Sequence, residues 1–370
     1  MVCFSHLRWH FVVQRPQHLV GRCARTRRVF FFEEPIFDAA GEAYASIESV
    51  GSSVHLVVPH LHASQRGSEP GVLRTLLDDV IAAQGVRADI LWYYTPMALR
   101  FSEHLQAPVV VYDCMDELSG FAGAPPELGE AERALLRRAD VVFTGGRSLY
   151  EAKRHLHANI YPFPSSVDVP HFAQALTDGQ VDPPDQALVP HPRIGFFGVL
   201  DERLDLELLA GVADRRPDWH LVMLGPVVKI DPASLPRLEN IHYLGQKTYA
   251  ELPRYLAGWD VAMLPFARNE ATRYISPTKT PEYLAGGRPV VSTSITDVVH
   301  PYGDLGLARI ADEPGEFVSA VEAALAEDGV QRQRSADRLL ATMSWDATWM
   351  AMTVQIEKFL RKDSHTCSTI

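Results

Sequence analysis

Short β-branched or aromatic runs alternate along this chain with longer stretches whose apolar residues recur every three or four positions. That alternation predicts βα units wound on parallel sheets. In the first half the strand runs fall at 29–32, 54–58, 90–94, 109–112 and 141–144, with 159–162 as a further candidate. Helical spacing occupies 73–83 and 127–138, and Ser148 to Glu151 has the spacing of a capping box for a helix starting just after Gly145-Gly146. From 168 to 192 periodicity lapses, and Pro170, Pro183, Pro184, Pro190 and Pro192 interrupt a polar stretch that reads as a linker. A second βα series follows, with strands at 194–198, 220–224, 241–244, 261–264, 289–292 and 307–310, and helices starting near Asp205, Ala250 and Pro281. Two helical patterns without a strand between them, 316–326 and 345–361, close the chain before a polar tail at 363–370. The expected organisation is a first domain over 1–175, a linker over 176–192, a second domain over 193–342 and a terminal helix over 343–362. Both domains are expected to be α/β, doubly wound and Rossmann-like, with ligands in a cleft at the carboxyl ends of the strands.

Composition narrows the classes of function. At 370 residues the chain exceeds the size at which one core stops growing, and 46% hydrophobic with 22% charged residues is an ordinary globular balance. The longest apolar runs fall far short of the roughly 18 residues of a membrane span, and Met1 to His6 lacks the pattern of a secretory signal, so the expected compartment is the cytoplasm. Cys3, Cys23, Cys114 and Cys367 have neither disulfide nor zinc spacing. A net charge of -11 disfavours nucleic acid as a partner. Locally the sign reverses: Arg8, Arg15, Arg22, Arg25, Arg27 and Arg28 crowd the first 28 residues, which contain no Asp or Glu. Three readings stay open for that cluster: a solvated face, a site for an anionic acceptor, or peripheral contact with an anionic membrane leaflet.

The most informative stretch is Tyr274 to Pro289, YISPTKTPEYLAGGRP. Thr280 suits an N-cap, Pro281 the first helical position and Glu282 the first turn. A helix start offers unpaired N–H groups to a diphosphate, Lys279 adds a cation, and Glu282 is an acceptor for paired sugar hydroxyls. The same pattern equally describes a capped helix with an acidic first turn and an exposed lysine.

The string Ser276-Pro277-x-Lys279-x-x-Glu282-Tyr283-Leu284-Ala285-x-Gly287-x-Pro289-Val290-Val291 resembles the donor-binding motif of GT-B glycosyltransferases, especially those grouped as family 4. The resemblance implies that Glu282 binds the donor ribose, while Asn269, Ser276, Pro277, Thr278, Lys279 and Thr280 surround the diphosphate and the transferred sugar. Ile194 to Gly198 followed by Asp201-Glu202-Arg203 is similar to the family's first donor-domain strand, with Gly198 at the turn and Arg203 as the diphosphate cation. Gly225 matches a second glycine turn, and Gln246 and Lys247 lie where the base is expected. Tyr274 stands where many members carry the first glutamate of Glu-x7-Glu, and Asn269 or Glu270 is the neighbour that would substitute. Expected chemistry is hexosyl transfer from a UDP- or GDP-sugar, retaining rather than inverting, with no cofactor and no metal. The opening of the chain resembles bacterial cell-surface polysaccharide glycosyltransferases, and the helix starting at Ser344-Trp345-Asp346 resembles the family's terminal helix, which packs back on the first domain.

The first domain is then expected to hold the acceptor, whether glycan, lipid-linked or a small molecule. His6, Trp9, Arg15 and Gln17 are candidate contacts, although Arg15 and His18 equally suit a solvated helix face. Asp113 and Asp116, just after the apolar run 109–111, are candidate catalytic carboxylates alongside Lys279, and equally candidate helix caps. His10 and His104 are lesser candidates. Other readings are a GT-B-fold nucleotide-sugar epimerase, a two-domain binding protein, and a non-catalytic sugar-nucleotide binder.

Overall fold

A computed structural model describes the backbone of all residues except 178, 180 and 367–370, and the side chains up to residue 360. The chain divides into two compact units. The first comprises Met1–Ser119, Gly123–Pro164 and the chain from Asp346 on; the second comprises Ser165–Trp345 together with Gly120–Ala122.

The first unit is built on an eight-stranded sheet. Its strands are β1 (Val2–Phe4), β2 (Val29–Phe32), β3 (Tyr44–Val50), β4 (Val54–His60), β5 (Ile90–Tyr93), β6 (Val109–Cys114), β7 (Val141–Thr144) and β8 (Ile160–Pro162). They lie in the order β3-β4-β2-β1-β5-β6-β7-β8, all parallel except the β3-β4 pair. Strand order reverses at β1, whose two neighbours are β2 and β5, so a crevice opens beyond the carboxyl ends of these three strands. Strand β3 is absent from the hydrophobic pattern because it is an edge strand: Tyr44 and Ile47 are exposed and, Val50 apart, its remaining side chains are small or acidic. Strand β1 is three residues long, too short to register as a pattern.

The second unit carries a six-stranded parallel sheet of β9 (Arg193–Phe197), β10 (His220–Leu224), β11 (Ile241–Gly245), β12 (Val261–Leu264), β13 (Val290–Ser292) and β14 (Ala308–Ile310). The order is β11-β10-β9-β12-β13-β14. The proline-rich stretch expected to be a linker belongs to this unit. Val167, Phe172, Ala175 and Val189 are buried in its core. Gln186, fully buried, donates to Tyr255 O at 3.0 Å and accepts from Trp259 Nε1 at 2.9 Å. Arg193 ties the same stretch through Val189 O and Asp182. Prolines removed periodicity without removing burial, so the boundary lies near Ser165 rather than at 175.

The last helix, Trp345–Thr366, extends through the first four residues assigned to a polar tail, and the rest of that tail, with Cys367, lies outside the described residues. Met352 and Ile356 are buried in the first unit, and Trp349 lies 6.0 Å from Trp92 between ring centroids. The capping box expected at Ser148 does not form: the helix Arg147–Lys153 starts on Gly146 without a side-chain cap.

Candidate functional site

The carboxyl ends of β9 and β10 converge on two glycines. Gly198 N–H donates to Leu224 O and Gly225 N–H to Gly245 O, extending the sheet by one rung past each strand. Gly198 (φ 149°) and Gly225 (φ 148°) adopt backbone conformations that L side chains rarely enter. A Cβ on Gly225 would lie 1.7 Å from Gly198 O. One on Gly198 would lie 2.3 Å from Lys279 Cε and 2.9 Å from its Nζ. The missing side chains are therefore what lets two strand ends and the lysine meet.

Lys279 opens the helix Lys279–Ala285, whose N-cap is Thr278. Helix onset thus precedes the expected cap at Thr280 by two residues. Pro281 is tolerated at the third position because the first four N–H groups of a helix have no internal partner. Thr280 is fully buried and its hydroxyl has no protein partner. Tyr283 fixes the helix to the sheet, accepting a hydrogen bond from Phe197 N–H at 3.1 Å. Lys279 Nζ is 5.8 Å from the Phe196 ring centroid. Glu282 is 7% exposed, and burial raises its carboxyl from 4.5 to about 7 against the opposing pull of Lys279.

Around this centre the loops after β9 and β12 are laced together. Ala267 N–H donates to Arg203 O, Asp205 N–H to Pro265 O, and Asn269 Nδ2 to Glu202 O at 3.1 Å. Asn269 also accepts from Thr272 N–H, so its amide organises the loop rather than pointing unengaged toward a ligand. Arg203 grips the buried Asp201 carboxylate through Nε and Nη2, at 2.9 and 2.7 Å, and enters the site as half of an ion pair. Ser276 O accepts from Ser165 Oγ at 2.9 Å, and Pro277 and Thr278 are half-buried beside it. Gln246 is exposed past β11. Lys247, next to it, pairs with Asp185 at 2.6 Å and lies over the Tyr255 ring. Lys229, in the loop after β10, was not singled out in the sequence: it is exposed with φ 62°, a left-handed conformation at a non-glycine residue that no local pattern announces.

Candidates in the first unit fare differently. Arg15 and Asp113, 2% and 0% exposed, form a bidentate pair with contacts of 2.8 to 3.1 Å, and Arg15 Nη1 also donates to Phe163 O. Neither can touch a ligand: they are a core ion pair joining the helix Arg15–Cys23 to β6 and β8. Gln17 closes the loop before that helix, donating to Trp9 O and Val12 O and accepting from Gln14 N–H. Trp9 packs edge-on against Phe31 and its N–H donates to Glu33. His6 and Asp116 are half-buried, after β1 and β6 respectively. His10 and His104 pair with Glu48 and Asp78 near the surface. The arginine cluster is met by acids in space, Arg8 by Glu33, Arg22 and Arg25 by Asp346, and Arg27 by Asp89. Among the described residues no three His, Cys, Asp or Glu side chains gather so as to hold a metal ion.

Comparison with known proteins bears on this geometry. Residues 191–327 match the family described as Glycosyl transferases group 1. A Bacillus subtilis protein named as a teichuronic acid biosynthesis glycosyltransferase, TuaH, is 26% identical, over 79% of this chain and 77% of its own length. Among solved structures, sucrose-phosphate synthase from Thermosynechococcus elongatus superposes with a TM-score of 0.75 at 13% identity, covering 98% of this chain and 99% of its own. HepE of Anabaena, solved with UDP and glucose, gives a TM-score of 0.59 at 14% identity, covering 100% and 99%.

Proposed function

We propose that this chain, which has the two-domain GT-B fold, is a group 1 glycosyltransferase that moves a hexosyl group from a UDP- or GDP-sugar to a glycan, lipid-linked or small-molecule acceptor in cell-surface polysaccharide synthesis. The observation that carries this reading is the nesting of Lys279 against Gly198, at the carboxyl end of β9, next to the buried Glu282. A diphosphate set over the two glycines meets backbone rather than side chains, and Lys279 meets its charge. When the bond between the sugar and the diphosphate breaks, negative charge grows on the phosphate oxygen. A cation already in place stabilises that charge without reorganisation. Glu282 accepts the two ribose hydroxyls, and Thr280 offers its unpartnered hydroxyl in the same helical turn.

Support for the nucleotide comes from the UDP and glucose held by HepE, and support for the polysaccharide from the name of TuaH. In this proposal the transfer needs no metal, because Lys279 supplies the positive charge, and it retains anomeric configuration. Asn269 and Glu270 stand in the loop where Tyr274 replaces the first glutamate, and Asp116 of the first unit orients the acceptor hydroxyl. The proposed compartment is the cytoplasm, with peripheral contact at the membrane's inner face. No helix among the described residues is long and apolar enough to cross a membrane.

The test is incubation with a panel of UDP- and GDP-sugars, with and without glycan acceptors, measuring nucleotide release and the anomeric configuration of the product by NMR. Acceptor-dependent release is the expected result. Turnover without acceptor would favour an epimerase, and nucleotide binding without turnover a non-catalytic binder. Failure to bind either nucleotide would overturn the reading.

A further inference from the structure

Far from the donor glycines in sequence, a serine, a histidine and an aspartate meet at the β3-β4 edge of the first sheet. The antiparallel register sets Tyr44 opposite His60 and Ser46 opposite Val58. Residues two apart on a strand share a face, so the Ser46 hydroxyl and the His60 ring are diagonal neighbours. Ser46 Oγ lies 3.0 Å from His60 Nε2. His60 Nδ1 in turn lies 2.7 Å from Oδ1 of Asp38, which the loop between β2 and β3 brings up. The Tyr44 ring stacks on the imidazole, with centroids 4.5 Å apart and planes 4° from parallel, and holds it in that orientation.

The direction of these bonds follows from what each group can do. A carboxylate only accepts, so Nδ1 carries the proton of the neutral ring and Nε2 is left as the acceptor. The Ser46 O–H then donates to Nε2, because its other acceptor, Val58 O, is farther away at 3.4 Å. A third requirement is a donor for developing negative charge. On the β2 side of β4, Val57 O accepts from Glu33 N–H and Pro59 O from Ile36 N–H. The positions between them therefore bond to β3 through Tyr44, Ser46 and Glu48. Ala45 and Ile47 are left to point their N–H groups out of the open edge, since β3 is the terminal strand. Ile47 N–H follows the serine directly in the chain, a place from which a backbone donor serves an oxyanion.

We propose that Ser46, His60 and Asp38 form a second reactive site, which hydrolyses short carboxylic esters of acetyl size through an acyl-serine. Ser46 Oγ adds to the ester carbonyl carbon as its proton passes to His60 Nε2, and the charge on the carbonyl oxygen meets Ile47 N–H. The bond to the alcohol oxygen then breaks, and the leaving alkoxide takes the proton from Nε2. Water repeats the sequence on the acyl-serine, releasing the carboxylic acid and restoring Ser46, so ester and water are the whole of the reaction. Asp38 is a positioning residue, acting through the imidazole whose tautomer it fixes. Because the serine is half-buried on an edge strand, acyl groups that need no enclosing pocket are the ones it takes.

The experiment uses the full chain with p-nitrophenyl acetate as substrate and phenylmethanesulfonyl fluoride as a label, located by mass mapping of peptides. Saturable hydrolysis above the buffer rate is expected, with the sulfonyl group on Ser46 Oγ after fluoride leaves. Ser46→Ala should lower kcat/KM about 100-fold or more, the lower end of what a positioned base contributes, and should abolish the label. His60→Gln, read by the same assay, serves should the alanine variant fail to fold. Asp38→Asn should lower kcat with KM unchanged, whereas an aspartate that only ties the loop to the sheet would show itself in the melting temperature and leave kcat alone. Hydrolysis that survives in folded Ser46→Ala would overturn the proposal, as ordinary surface-histidine catalysis. So would a label on another residue, or no hydrolysis above the buffer rate. No nucleotide enters the assay, so its failure leaves the transferase reading standing, and a chain that binds no nucleotide leaves this one.

Discussion

The two sheets end in opposite ways. At the end of β6 and in the helix that follows β1, the first unit places an arginine and an aspartate that neutralise each other in the core. Past β9 and β10 the second unit places two glycines and brings a lysine against them. Both arrangements put charge near strand ends, where ligands of such folds bind. Only the second leaves backbone there for a ligand to approach. A charged residue at a strand end is thus no evidence of chemistry until its partner is known, and a glycine there can be better evidence than a carboxylate.

The strongest way to break this contrast is Asp113→Ala. If Asp113 belongs to the core, the variant leaves the Arg15 guanidinium buried and uncompensated, and stability falls by about 3 to 5 kcal/mol, read by chemical denaturation. A variant that keeps its stability but loses turnover would return Asp113 to the chemistry and end the contrast. Lys279→Ala is the mirror experiment. Turnover should fall roughly 100-fold, as for loss of one preorganised electrostatic donor, while the denaturation midpoint stays where it was. Unchanged kinetics would remove the lysine from the donor site. Gly198→Ala comes next: strain at its φ and the collision with Lys279 should cost about 1 to 3 kcal/mol and weaken nucleotide binding at the same time. Weakened stability with normal nucleotide affinity would mean that the glycine serves packing alone.

Much of this was legible from residues, unevenly. Strands buried on both faces, such as β6, β7 and β12, announce themselves as continuous apolar runs, and the helical start that carries Glu282 by its Thr-Pro-Glu order, though two residues late. The half-exposed edge strand β3 had no such signature. The prolines of 168–192 break periodicity and so give the stretch the look of a linker, yet Phe172 and Gln186 within it are fully buried. Pairing is what sequence leaves open. Arg15 and Asp113 are separated by 98 positions, and Lys247 and Asp185 by 62, so neither bond leaves a local trace. The arginine-rich first segment shows the same limit, because Asp346, which meets two of those arginines, comes from the other end of the chain.

The smallest effect sharpens the contrast most, because it tests burial on the side where charge is meant to be used. Glu282 ionises near pH 7 in the folded protein but near 4.5 when unfolded. The folded state therefore binds this proton more tightly, and the stability it contributes, complete below pH 4.5, is lost as pH rises toward 7. Ribose hydroxyls donate to the ionised form, so nucleotide affinity should move the opposite way and strengthen as pH rises through the same range. Between pH 6 and pH 8 the gain should be about tenfold by calorimetry, since each pH unit below the folded pKa costs about 1.4 kcal/mol of ionisation. Glu282→Gln, which keeps the shape and one acceptor, should bind more weakly at pH 8 and show no such slope. A slope that persists in that variant would place the titrating group elsewhere, and Glu282 would join Asp113 as a carboxylate the core has consumed.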